Sequence, residues 1–416
     1  EVHFKSAALH GLGGELTRVF ARVLFLAAEA WTSVSAIVLA LWRMGVSHRR
    51  LLQWQTAEQS ERRSADLAGT FAAMWPVVYF SGLLLAFSQT FAGRAAAVCW
   101  IFTPLIAHRL KREKKEKPLD SGEREFLLRL DPEIWRYFRE NCTAASHHLP
   151  PDNVQLSPPA SGADRTSPTN IAMALAGALS ALELGIASET EALTLCGNIL
   201  DTIGCLPKWK GHLYNWYDTK TLAPLDPAYV STVDSGNLAA ALTACAAGFA
   251  AHGAPTLAKQ ERETAAAMDF RALYDEKRRL FRIGLLPGES APAQSWYDLL
   301  ESEERLTAYF TVASGQIEHR HWRQLSRAQV GYRGRRGMVS WSGSLFEYLM
   351  PELFLPLYRG SHLWESARFA VYVQRRRTFG AKKLWGISES AFYAFDATNH
   401  YRYKAHGCAP LALCRD

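Results

Sequence analysis

Apolar residues form long unbroken runs in the first quarter of the chain and recur at helical spacing in the rest. The first run, residues 18–44, is long enough to cross a bilayer but contains Glu29, so a membrane span and a membrane-surface helix both remain open. The runs Phe71–Gln89 and Ala95–His108 are joined by a polar turn at Gly93–Arg94. They predict a transmembrane hairpin over about residues 71–108, with a buried helical pair in a soluble domain as the alternative.

Basic segments flank the predicted hairpin on both sides, at residues 45–70 and 109–117. Lys and Arg accumulate in cytoplasmic loops, so we expect both flanks, and everything after residue 110, to be cytoplasmic. The second segment could also bind nucleic acid, but its position beside a span favours lipid headgroups. No cleavable signal peptide is visible.

The remainder of the chain predicts a mostly α protein. An amphipathic helix is indicated over residues 120–141, and the proline-rich stretch 143–168 is expected to be extended, either as a linker or as the wall of a site. No stretch shows sustained alternation, and the loops are rich in Trp, Tyr, Asp and Gly. Helix pairs with such loops at one end favour an α/α toroid. Helices are predicted over Ile171–Ile186, from Ser188 onward, and over Asn237–His252, Leu257–Phe281, Ser295–Ala313, Ser344–Tyr358 and His362–Phe379.

Length and cysteine usage refine this organisation. At 416 residues the chain exceeds one ordinary domain. Its seven cysteines are scattered without a C-x-x-C pair, which argues against a disulfide framework or zinc site and favours a reducing compartment. The start without methionine and the end at Leu-Cys-Arg-Asp lead us to expect a fragment. We predict a membrane region over 1–110, a helix and lead-in over 111–165, and a toroid domain over 166–416.

Five predicted loops carry carboxylates, amides and hydroxyls between them, and four of the five also carry aromatic rings. Aromatic faces stack on sugar rings, while carboxylates and hydroxyls bind sugar OH groups. Without a metal cluster or phosphate loop in the sequence, these loops favour a polyol substrate and no cofactor. The loops are His212–Asp218, Val230–Asn237, Trp296–Arg305, Ser340–Tyr348 and Trp385–Asp396.

Each constellation also has a structural explanation. Ser388 could be the N-cap of a helix, with its neighbours packing inward. Asp234 and Ser235 could be caps, and the acids of the third loop could be the solvated start of a helix.

Several long strings in the chain resemble the middle region of cyclic β-1,2-glucan synthases: SPTNIAMAL, GHLYNWYDTKTL, YVSTVDSGNLA, SWSGSLFEYLMPELF and WGISESAFYAFD. RRLLQWQTAEQSERR, the hairpin and LPPDNVQLSPP resemble the membrane region and lead-in of the same proteins, so the resemblance covers nearly the whole chain. It implies a multi-pass protein of the bacterial inner membrane, with transmembrane helices followed by an incomplete (α/α)6 toroid in the cytoplasm. That toroid would be a retaining, glycoside-hydrolase-like transglycosylase that closes linear β-1,2-glucan into rings. The resemblance also implies covalently linked glycosyltransferase and phosphorylase-like domains, which are not recognised here.

The resemblance also implies the catalytic residues. Retaining chemistry uses two carboxyl groups about 5–5.5 Å apart. The resemblance assigns the acid/base to Glu303 and the nucleophile to Glu389. We expect the neighbouring acids Glu301 and Glu304 to raise the pKa of Glu303, and Glu347 to bind a sugar hydroxyl. Further substrate-binding candidates are Arg165, Trp216, Tyr217, Asp218, Asp234, Asn237, Trp341, Tyr348, Trp385 and Tyr393.

Two other functions remain open at this stage. A related toroid could hydrolyse β-1,2-glucan, since hydrolysis and ring closure share the glycosyl-enzyme step. The chain could also be a membrane-tethered module that binds glucan without turnover. The expected partners are β-1,2-glucan and the lipid bilayer, and no nucleic acid.

Overall fold

The structure, a computed structural model, divides into two compact units, Glu1–Pro118 and Leu119–Asp416. The finer boundaries predicted at residues 110 and 165 stay predictions. The residues described are 2–51, 66–111, 118–160, 162–288, 294–379, 385–397, 399–404 and 406–413.

The regular secondary structure described in the first unit consists of helices. Its helices are α1 (Val2–Trp42, continued by a π-helical turn at Arg43–Ser47), α2 (Leu67–Phe87), α3 (Phe91–Ile101) and α4 (Thr103–Lys111). Arg18–Ser47 and Leu67–Phe87 are long and apolar enough to cross a membrane, and the bent pair formed by α3 and α4 would make a third span. The predicted membrane helices are confirmed by this criterion of length and composition.

The hairpin turn differs from the prediction. It lies at Ser88–Thr90, and the predicted turn residues Gly93 and Arg94 belong to the first turn of α3. Thr90 caps that helix by accepting from the Gly93 N–H at 3.1 Å, while Arg94 Nε donates to the Ser88 carbonyl at 3.0 Å. The second arm also bends by 44° between α3 and α4.

The second unit is a set of packed helices with short strand pairs between them. Its helices are α5 (Ser121–Asn141), α6 (Pro168–Glu183), α7 (Glu189–Cys205), α8 (Thr232–Ala251), α9 (Pro255–Ala266), α10 (Arg305–Ala313), α11 (Arg320–Gln324), α12 (Leu345–Leu349) and α13 (His362–Phe379), with 3-10 turns at Ala144–Ser146, Phe270–Leu273 and Met350–Leu353. The strands are β1 (Arg165–Thr166), β2 (Lys208–Trp209), β3 (His212–Leu213), β4 (Tyr217–Asp218), β5 (Val230–Ser231), β6 (Tyr274–Asp275), β7 (Leu280–Phe281), β8 (Gly284–Leu285), β9 (Gln329–Tyr332), β10 (Arg335–Met338), β11 (Ser390–Phe395) and β12 (Tyr401–Lys404). They pair antiparallel as β1–β4, β2–β3, β5–β8, β6–β7, β9–β10 and β11–β12.

The core of this unit is centred on α6, α7 and α8, whose small residues allow close helix contact. The start of α8 lies very close to α10, because a Cβ added at Gly236 would lie 1.8 Å from Thr307 Oγ1. Only a glycine fits at that contact. It sets Asp234, in the first turn of α8, near the loop that leads into α10.

The helix predictions hold in position but several are too long. The helix predicted over Leu257–Phe281 ends at Ala266, where the chain turns into β6 and β7, and Asp275 accepts from the Arg278 N–H at 3.0 Å to close that turn. The helix predicted over Ser295–Ala313 begins only at Arg305, and Pro351 converts the continuation of α12 into a 3-10 turn. The helix over 362–379 is confirmed.

Candidate active site

Glu303 lies in the turn that leads into α10. Both of its acidic neighbours are paired inside the protein: Glu301 with Arg305, and Glu304 with His321 at 3.4 Å. Glu301 and Glu304 are at most 1% exposed. Of the three carboxylates in this turn, Glu303 is therefore the one that lines the cleft.

Glu389 directly precedes β11, and the backbone before it is firmly held. The Gln374 side chain of α13 accepts from the Ile387 N–H at 2.6 Å and donates to the Ile387 carbonyl at 2.8 Å. Ser388 Oγ accepts from the Phe346 N–H at 3.0 Å. Since Glu389 leads into a strand, the alternative of Ser388 as the N-cap of a helix is wrong.

The strand opposite Glu389 supplies a partner that the sequence did not indicate. The Tyr403 hydroxyl of β12 donates a hydrogen bond to Glu389 Oε2. The lead-in holds this strand, because the Tyr401 N–H donates to Gln155 Oε1 at 2.7 Å and Asn153 Nδ2 donates to the Tyr401 hydroxyl at 3.0 Å. Of the two roles predicted for the lead-in, the structure selects the wall of the cleft.

The cleft has two adjoining arms that share Tyr297, Glu303 and Glu389. The Trp216 arm has a volume of about 970 Å³ and the Trp296 arm about 1160 Å³. The Trp216 arm is further lined by residues 152–157 and by Arg165, Ser167, Thr169, Asn170, Asn215, Trp216, Ser231, Val233, Asp234, Phe346, Phe395, Tyr401 and Tyr403. The Trp296 arm is further lined by Lys277, Arg278, Leu280, Ile283, Ser295, Trp296, Asp298, Ser302, Gln324, Trp341, Ser342 and Glu347.

In the Trp216 arm, an arginine supports the aromatic ring. The Arg165 guanidinium lies 4.5 Å from the Trp216 ring centroid and is ion-paired to Asp152 at 2.9 Å. A carboxylate completes the arm, since Asp234 Oδ1 accepts from Thr169 Oγ1 at 2.6 Å.

The Trp296 arm repeats this arrangement with other residues. The Arg278 guanidinium lies 4.0 Å from the Trp296 ring, and Trp296 Nε1 donates to Asp275 at 3.1 Å. Its carboxylate is Glu347, whose oxygens accept from the Ser342 N–H at 3.1 Å and the Ser342 hydroxyl at 2.6 Å. Each arm therefore offers an aromatic ring held by an arginine, beside a carboxylate with fixed hydrogen-bond donors.

The carboxylates at the junction have raised pKa values. Burial raises the pKa of Glu303 well above its usual value, and the nearby charges of Glu389, Asp234 and Glu347 raise it further. Burial also raises the pKa of Glu389, but the Tyr403 hydroxyl opposes that shift by donating to the charged form. Of the two glutamates, Glu303 has the pKa that is raised more strongly, so it is the better suited to hold a proton.

The raised pKa of Glu303 has a different cause from the one expected. Its acidic sequence neighbours Glu301 and Glu304 are not responsible, because Arg305 and His321 face them. The carboxylates that act on Glu303 come from other segments.

The structure brings together Arg165, Trp216, Asp234, Trp341 and Glu347 with the two glutamates, and places other candidates elsewhere. Tyr217 is fully buried and its hydroxyl donates to the Pro207 carbonyl, while Tyr348 is buried and donates to the Met338 carbonyl. Both rings belong to the core, since strand and helix geometry turns them away from their cleft-lining neighbours Trp216 and Glu347.

Of four further candidates, three do not line the cleft, and the side chain of the fourth falls outside the described residues. Asp218 accepts from the backbone N–H groups of Lys220 and Thr221 and closes a turn. Asn237 is buried behind the Trp216 arm, and Trp385 is half-exposed beside Arg375. Tyr393 lies in β11, but its side chain falls outside the described residues.

Sequence reasoning missed the residues that act through long-range contacts. Trp296 lies in the predicted loop Trp296–Arg305, but residue type alone does not mark it as a binding residue, because its support by Arg278 and Asp275 appears only once β6 and β7 form. Tyr297 and Tyr403 could be found only from the folded positions of the two glutamates.

Comparison with solved structures places the second unit in a known fold. An endo-β-1,2-glucanase from Chitinophaga pinensis aligns with a TM-score of 0.55 and 14% identity, over 70% of this chain and 75% of that chain. An endo-β-1,2-glucanase from Talaromyces funiculosus aligns with a TM-score of 0.58 and 13% identity, over 69% of each chain. At such identities the likeness shows the fold, and the predicted class of a mostly α chain with membrane helices before an (α/α)6 toroid is confirmed.

Sequence comparison adds one relative and no family model. The chain is similar to the cyclic β-(1,2)-glucan synthase NdvB of Rhizobium meliloti (strain 1021). The two are 30% identical over an alignment of 537 residues, which covers 96% of this chain. The resemblance found in the sequence is thereby confirmed. The chain spans 19% of the length of that relative. No protein-family model matches the chain.

Proposed function

We propose that the second unit is an anomer-retaining transglycosylase that closes linear β-1,2-glucan into a ring. Glu303 and Glu389 line both arms, so a glucan that occupies the two arms would pass its scissile bond between them. This position of the two carboxylates is the observation that carries the proposal. The substrate class comes from the similarity to a cyclic β-(1,2)-glucan synthase.

In the first step, the Glu389 carboxylate attacks the anomeric carbon of the glucosyl unit beside the scissile bond. Glu303 gives its proton to the departing oxygen, which leaves as the 2-hydroxyl of the released segment. The bond from C1 to that oxygen breaks, and an ester bond from C1 to Glu389 forms. The raised pKa of Glu303 suits it to bring this proton.

In the second step, Glu303 acts as a base. It removes the proton from the 2-hydroxyl at the non-reducing end of the chain attached to Glu389. That oxygen attacks C1, the ester bond breaks and Glu389 leaves as a carboxylate. Two inversions restore the original anomeric configuration, and the product is a ring. Water as the acceptor would give hydrolysis instead, so closure depends on keeping water from the acceptor arm.

Incubation with linear β-1,2-glucan followed by mass spectrometry tests the proposal. Ring closure within one chain gives products that lack one water relative to linear chains of the same length, and NMR should show the β configuration in the new bond. Glu389→Gln is the matched control and should leave the glucan unchanged. Shorter linear chains alone would establish a hydrolase, and unchanged polymer with wild-type protein that binds glucan would establish a binding module.

We also propose a place for the protein in the cell. The basic segments on both sides of α2–α4 would hold their flanks in the cytoplasm of a bacterium, with the helices in the inner membrane. The second unit would then meet a cytoplasmic glucan. A reporter fused after residue 117 should behave as cytoplasmic, and a periplasmic signal there would reverse this orientation.

A further inference from the structure

A second cavity in the second unit lies between β10 and α13 and shares no lining residue with either arm of the cleft. We call it the arginine crevice, and its volume is about 650 Å³. It adjoins a smaller cavity of about 310 Å³, with which it shares Arg335 and Arg368. The crevice is lined by Arg335, Leu349, Ala367, Arg368, Val371, Tyr372, Arg375 and Arg376.

The rim of the crevice carries a net positive charge. The exposed arginines that line the crevice and the smaller cavity are Arg335, Arg336, Arg368, Arg375 and Arg376. Among the described residues, no carboxylate lies within ion-pair distance of any of them. Among the residues that line the smaller cavity, Glu365 is the acidic one. Repulsion among so many like charges is relieved most directly by an anionic ligand.

The floor of the crevice is apolar. Leu349, Ala367 and Val371 contribute aliphatic surface, and the Tyr372 ring lies 4.1 Å from the Arg335 guanidinium. A free sugar phosphate or inorganic anion would use the rim but leave this floor in water. A molecule with an anionic head and an apolar tail would use both.

The same chain carries helices that are long and apolar enough to cross a membrane. In sequence, the second unit begins at Leu119, soon after the last helix of the first unit ends at Lys111, and the segment between them is rich in lysine. Arginine forms bidentate hydrogen bonds with phosphate, and basic groups near an anionic bilayer are attracted to it.

We propose that the arginine crevice binds an anionic phospholipid, with its phosphate between Arg335 and Arg368 and the start of its acyl chains on the floor formed by Leu349, Ala367 and Val371. The bound lipid would hold this face of the second unit against the bilayer. This inference does not depend on the proposed transglycosylation, because the crevice and the cleft have separate linings.

The test uses the full chain in nanodiscs made of neutral phosphatidylcholine or of phosphatidylcholine mixed with phosphatidylglycerol. Hydrogen exchange of backbone amides in residues 335–338 and 362–377 reports occupancy of the crevice. Exchange should slow about tenfold in the anionic nanodiscs. The variant R335Q/R368Q should lose this protection, whereas R262Q/R323Q, which removes two exposed arginines elsewhere on the unit, should keep it.

Three outcomes would overturn the proposal. Equal protection in neutral nanodiscs after addition of inorganic phosphate or glycerol 3-phosphate would make the crevice a site for soluble anions. Equal protection by an acidic peptide would make it a protein-docking surface. Anionic-lipid protection that persists in R335Q/R368Q would assign the effect to the basic segment near residue 112. Because both substituted arginines are exposed, melting temperatures of the variants should match the wild type.

Discussion

The two arms of the cleft use the same parts but obtain them from different stretches of the chain. In the Trp216 arm the ring, its arginine and its acid come from the lead-in and from the segment before α8. In the Trp296 arm they come from the β6–β7 turn and the loop before α10. In both arms an aromatic ring lies against a guanidinium, and a carboxylate holds one of the two: Asp152 binds Arg165, and Asp275 accepts from Trp296. The same arrangement therefore occurs on both sides of one pair of glutamates.

The arms also differ in how the carboxylate beside the shared glutamates is held, which is Asp234 in the Trp216 arm and Glu347 in the Trp296 arm. Glu347 accepts hydrogen bonds from several serine hydroxyls and backbone N–H groups, whereas Asp234 accepts from Thr169 and Asn215. Both act electrostatically on Glu303 from opposite arms. The proton of Glu303 is therefore sensitive to what occupies either arm.

The largest expected effect comes from the shared pair. Glu389→Gln should reduce turnover of β-1,2-glucan by at least ~10³-fold, because both proposed steps pass through its ester. Glu303→Gln should be similarly impaired on glucan, yet should still form the glycosyl-enzyme from a substrate with an activated leaving group. Trapping that intermediate and measuring the intact protein mass checks both. Normal turnover by Glu389→Gln, together with an inactive Glu347→Gln, would move the nucleophile to Glu347.

The comparison of the arms predicts the next largest effect. Trp216→Ala and Trp296→Ala should each weaken binding of a long glucan roughly tenfold to a hundredfold, because each removes an aromatic face on which a sugar ring can stack. Calorimetric titration of each variant with glucans of increasing length measures this. A fragment too short to fill both arms should respond to one substitution and not to the other. Equal loss for all fragments in both variants would show that the arms do not bind separate segments.

Tyr217 is the matched control for Trp216, its sequence neighbour. Tyr217→Ala should cost about 3–5 kcal/mol of the free energy of unfolding, because it removes a fully buried ring. Affinity per folded molecule should remain unchanged. Chemical unfolding measures the first quantity and titration the second.

The neighbours Trp216 and Tyr217 show how far sequence reasoning reaches and where it stops. The helices, the membrane segments and seven of the residues that line the cleft followed from periodicity, composition and family resemblance. The pattern HLYNWYD could not separate Trp216 from Tyr217, because both residues are aromatic. Only the backbone direction at β4 decides which of the two rings faces the core. Likewise Tyr403 acts on Glu389 across a hairpin that showed no alternating pattern.

A smaller effect is expected from Tyr403→Phe. The Tyr403 hydroxyl favours the charged form of Glu389, so its loss should raise the pKa of Glu389 further. Glu389 must be ionised to attack, and the acid limb of the pH profile of kcat/KM should therefore move to higher pH. A drop in rate with an unmoved acid limb would assign Tyr403 to folding alone.

The smallest effects are expected from the carboxylates Asp234 and Glu347. Asp234→Asn and Glu347→Gln each remove a negative charge near Glu303, so the pKa of Glu303 should fall and the alkaline limb of the profile should move to lower pH. The shift should be larger for Asp234→Asn, since Asp234 acts more strongly on Glu303 than Glu347 does. The pH profiles of kcat/KM of the two variants check this order. The measured quantity is the pH at which the alkaline limb lies, not the maximal rate. If the alkaline limb does not move in either variant, neither Asp234 nor Glu347 acts on the pKa of Glu303.

The contact between the lead-in and strand β12 joins residues that are 246 positions apart, Gln155 and Tyr401. On the ribosome this separation becomes an order of events. The lead-in emerges early, and the helices of the unit can pack while synthesis continues. The wall that closes the Trp216 arm, and the hydroxyl that holds Glu389, arrive only when residues 401–403 leave the exit tunnel. A growing chain thus has an open, unfinished cleft until the β11–β12 hairpin reaches the lead-in.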